Sequence, residues 1–121
     1  MIQHCVFLRF KAAVQEAEKQ AIYAAIADLK DVVPGMIEVK SGSNVSPEGL
    51  SGGYNDGFIV TFEDEMVRDY YLKHPKHVEV GERIVSATDG GLAGILVFDL
   101  AHRPLLKRKE ARFPEPPQSV A

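Results

Sequence analysis

Apolar and polar residues alternate along four short stretches of the chain, and this two-residue period predicts four β-strands. The predicted strands cover residues 2–10, 36–42, 56–62 and 92–100. The first and last strands are apolar on both faces, which indicates that both faces are covered. The second strand alternates Ile37 and Val39 with Glu38 and Lys40, a pattern typical of an edge strand or of one wet face.

Helical spacing occupies the segments between these strands. The predicted helices cover residues 14–29, 65–72 and 75–87. In the first of them, Ile22, Ile26 and Leu29 recur every three or four residues and predict one buried stripe. The other two are separated at Pro75, because proline disrupts a helix interior but fits the first helical position. Residues 43–55 are rich in glycine and predict a loop.

The resulting order is β-α-β-β-α-β, with the second helix bent. This order predicts an α+β, ferredoxin-like domain with one four-stranded antiparallel sheet and helices on one face. The other sheet face has no cover of its own, and we expect it to carry Cys5, Phe7, Ile95 and Val97. An apolar patch of this size is unusual on a monomer. The sequence therefore predicts a homodimer that packs sheet against sheet.

Composition divides the chain into a domain and a tail. The 121 residues are 45% hydrophobic and 26% charged, which is typical of a globular domain, here residues 1–100. Residues 101–121 hold four of the seven prolines and five basic against two acidic residues. This change predicts a Pro-rich basic tail that is either disordered or draped over a partner.

The charge and the apolar runs exclude several classes of partner. The net charge of −3 gives no reason to expect nucleic acid. No apolar run approaches the roughly 18–20 residues of a membrane span, and the first residues follow a strand pattern instead of a secretory leader. Cys5 is the only cysteine, so the chain has no intrachain disulfide. We therefore expect a cytoplasmic protein.

The bend around Pro75 gathers the residues with the most chemistry. Tyr71 falls in the last turn of one predicted helix and His77 in the first turn of the next. An imidazole with a pKa near 6.5 can take a proton at neutral pH, and a tyrosine hydroxyl can stabilise an enolate oxygen. This chemistry needs no cofactor. His74 and His77 lie three residues apart without a further ligand pattern, so we predict no metal site.

Several short motifs occur in the order and at the spacing of a known family. They are His4–Lys11, Val33-Pro34-Gly35, Gly53-Tyr54, Val60–Glu63, Tyr71-x-x-His74-Pro75-x-His77 and Val97-Phe98-Asp99. Over residues 2–100 the chain therefore resembles the stress-responsive α/β-barrel (Dabb) family of dimeric ferredoxin-like proteins. The tail lies outside this resemblance.

The resemblance implies a homodimer whose two sheets form an α/β barrel, whereas most members of the family have no established reaction. One plant member closes a linear polyketide by an intramolecular aldol condensation, and its catalytic histidine and tyrosine match His77 and Tyr71. Its pocket histidine on the first strand matches His4. A further pocket histidine falls at Asp56, where this chain departs from the pattern. Related dimeric barrels include cofactor-free monooxygenases that act on aromatic substrates.

We therefore expect a pocket between sheet and helices that binds a small apolar or aromatic molecule, with His4, Asp56 and His74 as candidate ligand-binding residues. A cofactor-free enzyme that uses His77 and Tyr71 is one alternative. A structural dimer without a ligand, in which His77 braces the helix bend, is another. Each candidate also has a structural role open to it. His74 suits a helix start, His4 a core position and Asp56 a turn.

Overall fold

A computed structural model of the protein describes residues 1–103. Its strands and helices, in chain order, are β1 (Ile2–Leu8), α1 (Glu16–Asp28), β2 (Met36–Ser43), β3 (Asp56–Phe62), α2 (Glu65–Lys73), α3 (Pro75–Ala87) and β4 (Ile95–Ala101). This order confirms the predicted β-α-β-β-α-β arrangement. The prediction of a disordered or draped tail falls on residues outside the described ones, apart from residues 101–103.

The four strands form one antiparallel sheet in the order β2-β3-β1-β4. The helices cover one face of it, which we call the helix face. Every second residue of β1 points there and is buried, from Ile2 to Leu8. The predicted stripe packs against them: Ile22 and Ile26 of α1, and Leu29 in the turn that follows it, are almost fully buried. This layer between sheet and helices is the hydrophobic core. No helix within residues 1–103 is long and apolar enough to cross a membrane.

We call the opposite side of the sheet the outer face. The prediction of which β4 residues lie on it was wrong. Ile95 and Val97 lie across from Leu8 and Val6, and directly paired residues point to the same side of a sheet. Both therefore belong to the helix face, whereas Cys5 and Phe7 lie on the outer face as predicted. The error arose because β4 is apolar at both alternating sets of positions, so its pattern alone does not specify which set faces the core.

The outer face presents a continuous apolar area along β1 and β4. Its apolar members are Cys5, Phe7, Ile59, Leu96, Phe98 and Leu100. Phe98 is 58% exposed, an unusual state for a phenylalanine. Toward β2 the same face becomes polar, with Glu38 and Lys40 opposite Thr61 and Ile59. The uncovered face predicted from the sequence is therefore present, with a different set of β4 residues.

Several strand boundaries and one strand face also differ from the predictions. The β2–β3 register shifts between Met36 and Glu38, so Ile37 is the extra residue of a bulge. Consequently Met36 and Val39 face the core, and Ile37 does not share a face with Val39. Strand β1 ends at Leu8, before the predicted end at residue 10. Strand β4 begins at Ile95 because residues 91–94 form a 3₁₀ turn.

The break between α2 and α3 lies at the predicted place. His74 has an extended backbone, with φ −64° and ψ 133°, as expected for a residue that precedes proline. Its Nδ1 accepts a hydrogen bond from the backbone N–H of Lys76, at 3.1 Å, and thereby caps α3. Pro75 occupies the first position of α3. The two helices therefore meet at an angle over one end of the sheet, beside Phe62.

Candidate functional site

Tyr71 and His77 lie against each other on the inner side of the helix break. Tyr71 is in the last turn of α2 and His77 in the first turn of α3. Their ring centroids are 4.3 Å apart, with an interplanar angle of 50°. The proximity predicted from the helix break is therefore present in the fold, and we call these two residues with His4 the His–Tyr cluster.

The His77 ring is held in a definite orientation. Its Nδ1 lies 3.2 Å from the carbonyl oxygen of Leu72, a group that only accepts hydrogen bonds. Nδ1 is therefore the protonated nitrogen, and Nε2 of the neutral ring carries a free lone pair. Burial lowers the pKa of His77 from its ordinary value near 6.5, the bond to Leu72 opposes this shift, and the charge of nearby His4 adds to it. The ring is therefore mainly neutral at pH 7 and can accept a proton.

Tyr71 is completely buried, yet its hydroxyl has no hydrogen-bond partner within residues 1–103. Its ring packs on Phe62, with 4.9 Å between centroids. Burial raises the pKa of the Tyr71 phenol, so the group stays protonated and acts as a donor. A buried hydroxyl without a partner costs stability. A buried hydroxyl of this kind either stays unpaired at a cost or is completed by a partner from outside the chain, such as a water molecule or a ligand.

His4 enters the cluster from the sheet. It lies on the helix face of β1, is 4% exposed, and its ring meets Tyr71 edge-on with 5.9 Å between centroids. His4 Nδ1 lies 2.6 Å from Oδ1 of Asp99, the residue directly opposite on β4. The other oxygen of Asp99 accepts a hydrogen bond from Arg68 of α2, at 3.1 Å. A chain of hydrogen bonds thus runs from Arg68 on α2 through Asp99 to the buried imidazole of His4.

Sequence reasoning missed Asp99 and Arg68 as members of this site. Asp99 was noted only within a family motif, although an acidic residue inside an otherwise apolar strand is itself a signal. Arg68 precedes Tyr71 by three residues, which places both on one side of α2. The pattern of apolar and polar residues does not predict the β1–β4 register, and it is this register that sets Asp99 opposite His4.

The fold does not bring the remaining candidates into the cluster. His74 caps α3 through its own ring nitrogen, which matches the helix-start role considered for it. Asp56 lies four residues before Val60, the β3 partner of His4, and this separation is about 13 Å along the strand. Asp56 instead pairs with Lys19 of α1 at 3.2 Å. Within the described 103 residues, no group of three or more His, Cys, Asp or Glu side chains is arranged to hold a metal.

A cavity of about 480 Å³ lies on the outer face, whereas the pocket was predicted between the sheet and the helices. Its apolar floor includes Phe7, Ile59 and Leu96, and its rim comes from β2 and the glycine-rich loop. The loop contributes Ser51, Tyr54 and Asn55. A rim over a pocket fits the composition of this loop, although the pocket opens to the face opposite the His–Tyr cluster.

Comparisons with known proteins agree with this architecture. The chain is 31% identical over 103 residues to olivetolic acid cyclase from Cannabis sativa. This match covers 84% of this chain and 97% of the cyclase. It is 30% identical to the stress-response A/B barrel domain-containing protein HS1 from Arabidopsis thaliana, covering 81% and 86% of the two chains.

Among solved structures, a dimeric ferredoxin-like protein of unknown function from Jannaschia sp. CCS1 superposes with a TM-score of 0.75 at 32% identity. The match covers 84% of this chain and 98% of that one. The family model of the stress responsive A/B barrel domain matches residues 2–101, which is the whole sheet with its helices. The chain therefore belongs to the stress-responsive A/B barrel (Dabb) family.

Proposed function

We propose that this protein binds a small apolar or aromatic molecule that carries a carbonyl oxygen, and that the His–Tyr cluster is the binding site. The observation that carries the proposal is the Tyr71 hydroxyl, which is buried and unpartnered among the described residues. A carbonyl oxygen supplies the missing acceptor. The rings of Phe62, Tyr71 and His77 supply apolar contact for an aromatic or alkyl group. Tyr71 is completely buried, so access to its hydroxyl requires a local opening of the layer between sheet and helices.

A second candidate function is proton abstraction from the carbon next to that carbonyl. It is favoured by the orientation of His77, whose Nδ1–H is bound to Leu72 and whose Nε2 is free to act as a base. In this step Nε2 takes the proton, the C–H electron pair forms the enolate, and the enolate oxygen accepts a hydrogen bond from Tyr71. The kinship with olivetolic acid cyclase supports carbonyl chemistry at such a site, while family membership by itself assigns no activity.

The protein acts, in this proposal, as a homodimer through the outer face. The apolar area around Phe7 and Phe98 has no cover within the described chain, and a second copy covers it by two-fold symmetry. The dimeric state of the Jannaschia relative supports this assembly. The facing sheets then form the barrel. A cytoplasmic location stays a prediction from the sequence.

Binding is tested with 1-phenyl-2-propanone, an aromatic ketone with acidic protons beside its carbonyl. We expect titration of the full chain to shift the NMR signals of the His77 ring and the Tyr71 ring in a saturable way. His77→Ala weakens binding at least tenfold, whereas His74→Ala leaves it unchanged, since His74 only caps α3. Shifts confined to residues of the outer-face cavity, such as Tyr54 and Ser51, contradict the proposed location.

Proton abstraction is tested separately in D₂O. We expect the wild-type protein to accelerate deuterium incorporation at the benzylic carbon of the same ketone, measured by NMR at neutral pH. The acceleration disappears in His77→Ala and persists in His74→Ala. Saturable binding without any acceleration supports the binding function alone and rejects the enzymatic one.

A further inference from the structure

Arg68 links the protein surface to the buried part of the His–Tyr cluster. Its guanidinium divides its donors between two carboxylates. Nη1 donates to Oδ2 of Asp99 at 3.1 Å, while Nη2 and Nε donate to Oδ1 of Asp69 at 3.0 and 3.2 Å. The hydrogen bonds to Asp69 and then to Asp99 raise the pKa of Arg68. The group is therefore a permanent cation, held by a planar fork that lysine cannot reproduce.

Asp99 is held on both of its oxygens. Oδ2 accepts from Arg68, and Oδ1 lies 2.6 Å from His4 Nδ1. The Asp99 side chain is 25% exposed, so without a second partner it can turn toward solvent and leave His4 Nδ1 without an acceptor. The bond from Arg68 of α2 holds it over β1. Since a carboxylate accepts, Nδ1 of His4 is the donor in this contact.

The contact decides which nitrogen of His4 faces the rest of the cluster. In the neutral ring, a proton on Nδ1 leaves Nε2 as an acceptor, and Nε2 is on the side of the imidazole away from Asp99. His4 meets Tyr71 edge-on and Phe62 at a tilt, with centroids 5.9 and 6.0 Å away. The charged or titratable groups that face His4 are Asp99 of β4, Tyr71 and Arg68 of α2, and His77 of α3.

We propose that Arg68 is a positioning residue of the candidate site: it holds Asp99 beside His4, so that His4 keeps its proton on Nδ1 and its Nε2 stays unprotonated. The site then contains two imidazoles with fixed tautomers, His4 and His77, and the rings of both contact the ring of Tyr71. The effect of Arg68 on ligand affinity rests on the proposed function, whereas its effect on the His4 tautomer does not.

The tautomer is read by NMR of the imidazole nitrogens in the full, ligand-free protein at a pH where His4 is neutral. We expect the wild type to show a protonated Nδ1 and an unprotonated Nε2 at His4. Arg68→Gln mixes the two tautomers, and Arg68→Lys restores the wild-type pattern in part, because an ammonium can still reach one oxygen. Asp69→Asn is the matched control. This variant removes the charge of Asp69, the other partner of Arg68, which is largely exposed. It leaves the tautomer of His4 unchanged.

The same variants are then titrated with 1-phenyl-2-propanone. We expect Arg68→Gln to tighten ketone binding several-fold, because the other tautomer carries a proton on Nε2 that the ketone oxygen can accept. Asp69→Asn has no effect, and amide spectra show an intact fold for each variant. An unchanged His4 tautomer in Arg68→Gln overturns the proposal, whatever the ketone does. If the wild type shows the expected tautomer and responds to Arg68→Gln but binds no ketone, the positioning role stands and the proposed function fails.

Discussion

The ring of His77 lies 4.3 Å from the ring of Tyr71 across the α2–α3 break. Eight residues of sequence, from Tyr70 to His77, produce this contact because Pro75 ends one helix and starts the next. The phenol is enclosed without a partner among the described residues, while the imidazole is bound to backbone on one side only. The phenol of Tyr71 is therefore placed to act as a hydrogen-bond donor, and the imidazole of His77 to act as a base.

Replacement of Tyr71 by phenylalanine is expected to stabilise the ligand-free protein. The hydroxyl is buried without a partner in the described chain, so its removal relieves a desolvation penalty of about 1 kcal/mol. Chemical denaturation measures the change in the free energy of unfolding. In the same variant, any exchange activity falls by roughly tenfold to a thousandfold, because the enolate oxygen loses its donor.

Tyr23→Phe is the matched control for this substitution. Tyr23 is 5% exposed, and its hydroxyl is also unpartnered within residues 1–103, but it packs on Phe58 and Phe10 at the other end of the core. We expect a similar gain in stability and no change in activity. Loss of stability in Tyr71→Phe, with a gain in Tyr23→Phe, contradicts the description of Tyr71 as an unsatisfied donor.

His77→Ala separates a chemical role from a bracing role. The described bond of the ring to Leu72 contributes about 1 kcal/mol, so the variant is expected to lose about that much stability and to keep its fold. His74→Ala is expected to lose about the same amount, since it removes an N-cap. Only the first variant then abolishes exchange. A loss of several kcal/mol in His77→Ala, with ligand binding intact, favours the structural brace.

The stability of the protein is expected to fall below about pH 6.5 in a way that depends on His77. Burial lowers the pKa of His77 in the folded state, so below its ordinary pKa the unfolded chain binds a proton that the folded chain does not. The contribution of His77 to the free energy of unfolding is therefore fully present above pH 6.5. It decreases as the pH falls and is constant below the folded-state pKa of His77. Urea denaturation from pH 4.5 to 7.5 measures this slope, and His77→Gln reduces it. An identical slope in the two proteins contradicts the assignment.

The register of β4 makes a sharp test of the dimer. Phe98 and Val97 are adjacent, and both are exposed in the single chain, but they point to opposite faces of the sheet. A typical dimer interface buries about 1,600 Å², and a charge placed unpaired within it costs several kcal/mol. Phe98→Asp is therefore expected to give a monomer in sedimentation velocity, whereas Val97→Asp stays dimeric. A wild-type monomer at micromolar concentration ends the dimer proposal, and dissociation by Val97→Asp alone places the interface on the helix face.

The sequence by itself determined most of the features that depend on neighbouring residues. The order of strands and helices, the stripe of α1 and the break at Pro75 all follow from local periodicity and from the geometry of proline. The proximity of Tyr71 and His77 was predictable for the same reason, because they are six positions apart with one bend between them. The cap formed by His74 is also local, since its partner is two residues away.

The tertiary structure alone decided which residues meet across the sheet. The β1–β4 register sets Asp99 opposite His4 and turns Phe98, not Val97, to the outer face. A strand that is apolar on both faces contains no signal for this choice, because a shift by one residue exchanges the faces without changing the pattern. The same holds for the bulge at Ile37 and for the distance between Asp56 and the cluster. Chain-distant pairing is set by the packing of the whole core, and therefore lies beyond any local reading of the sequence.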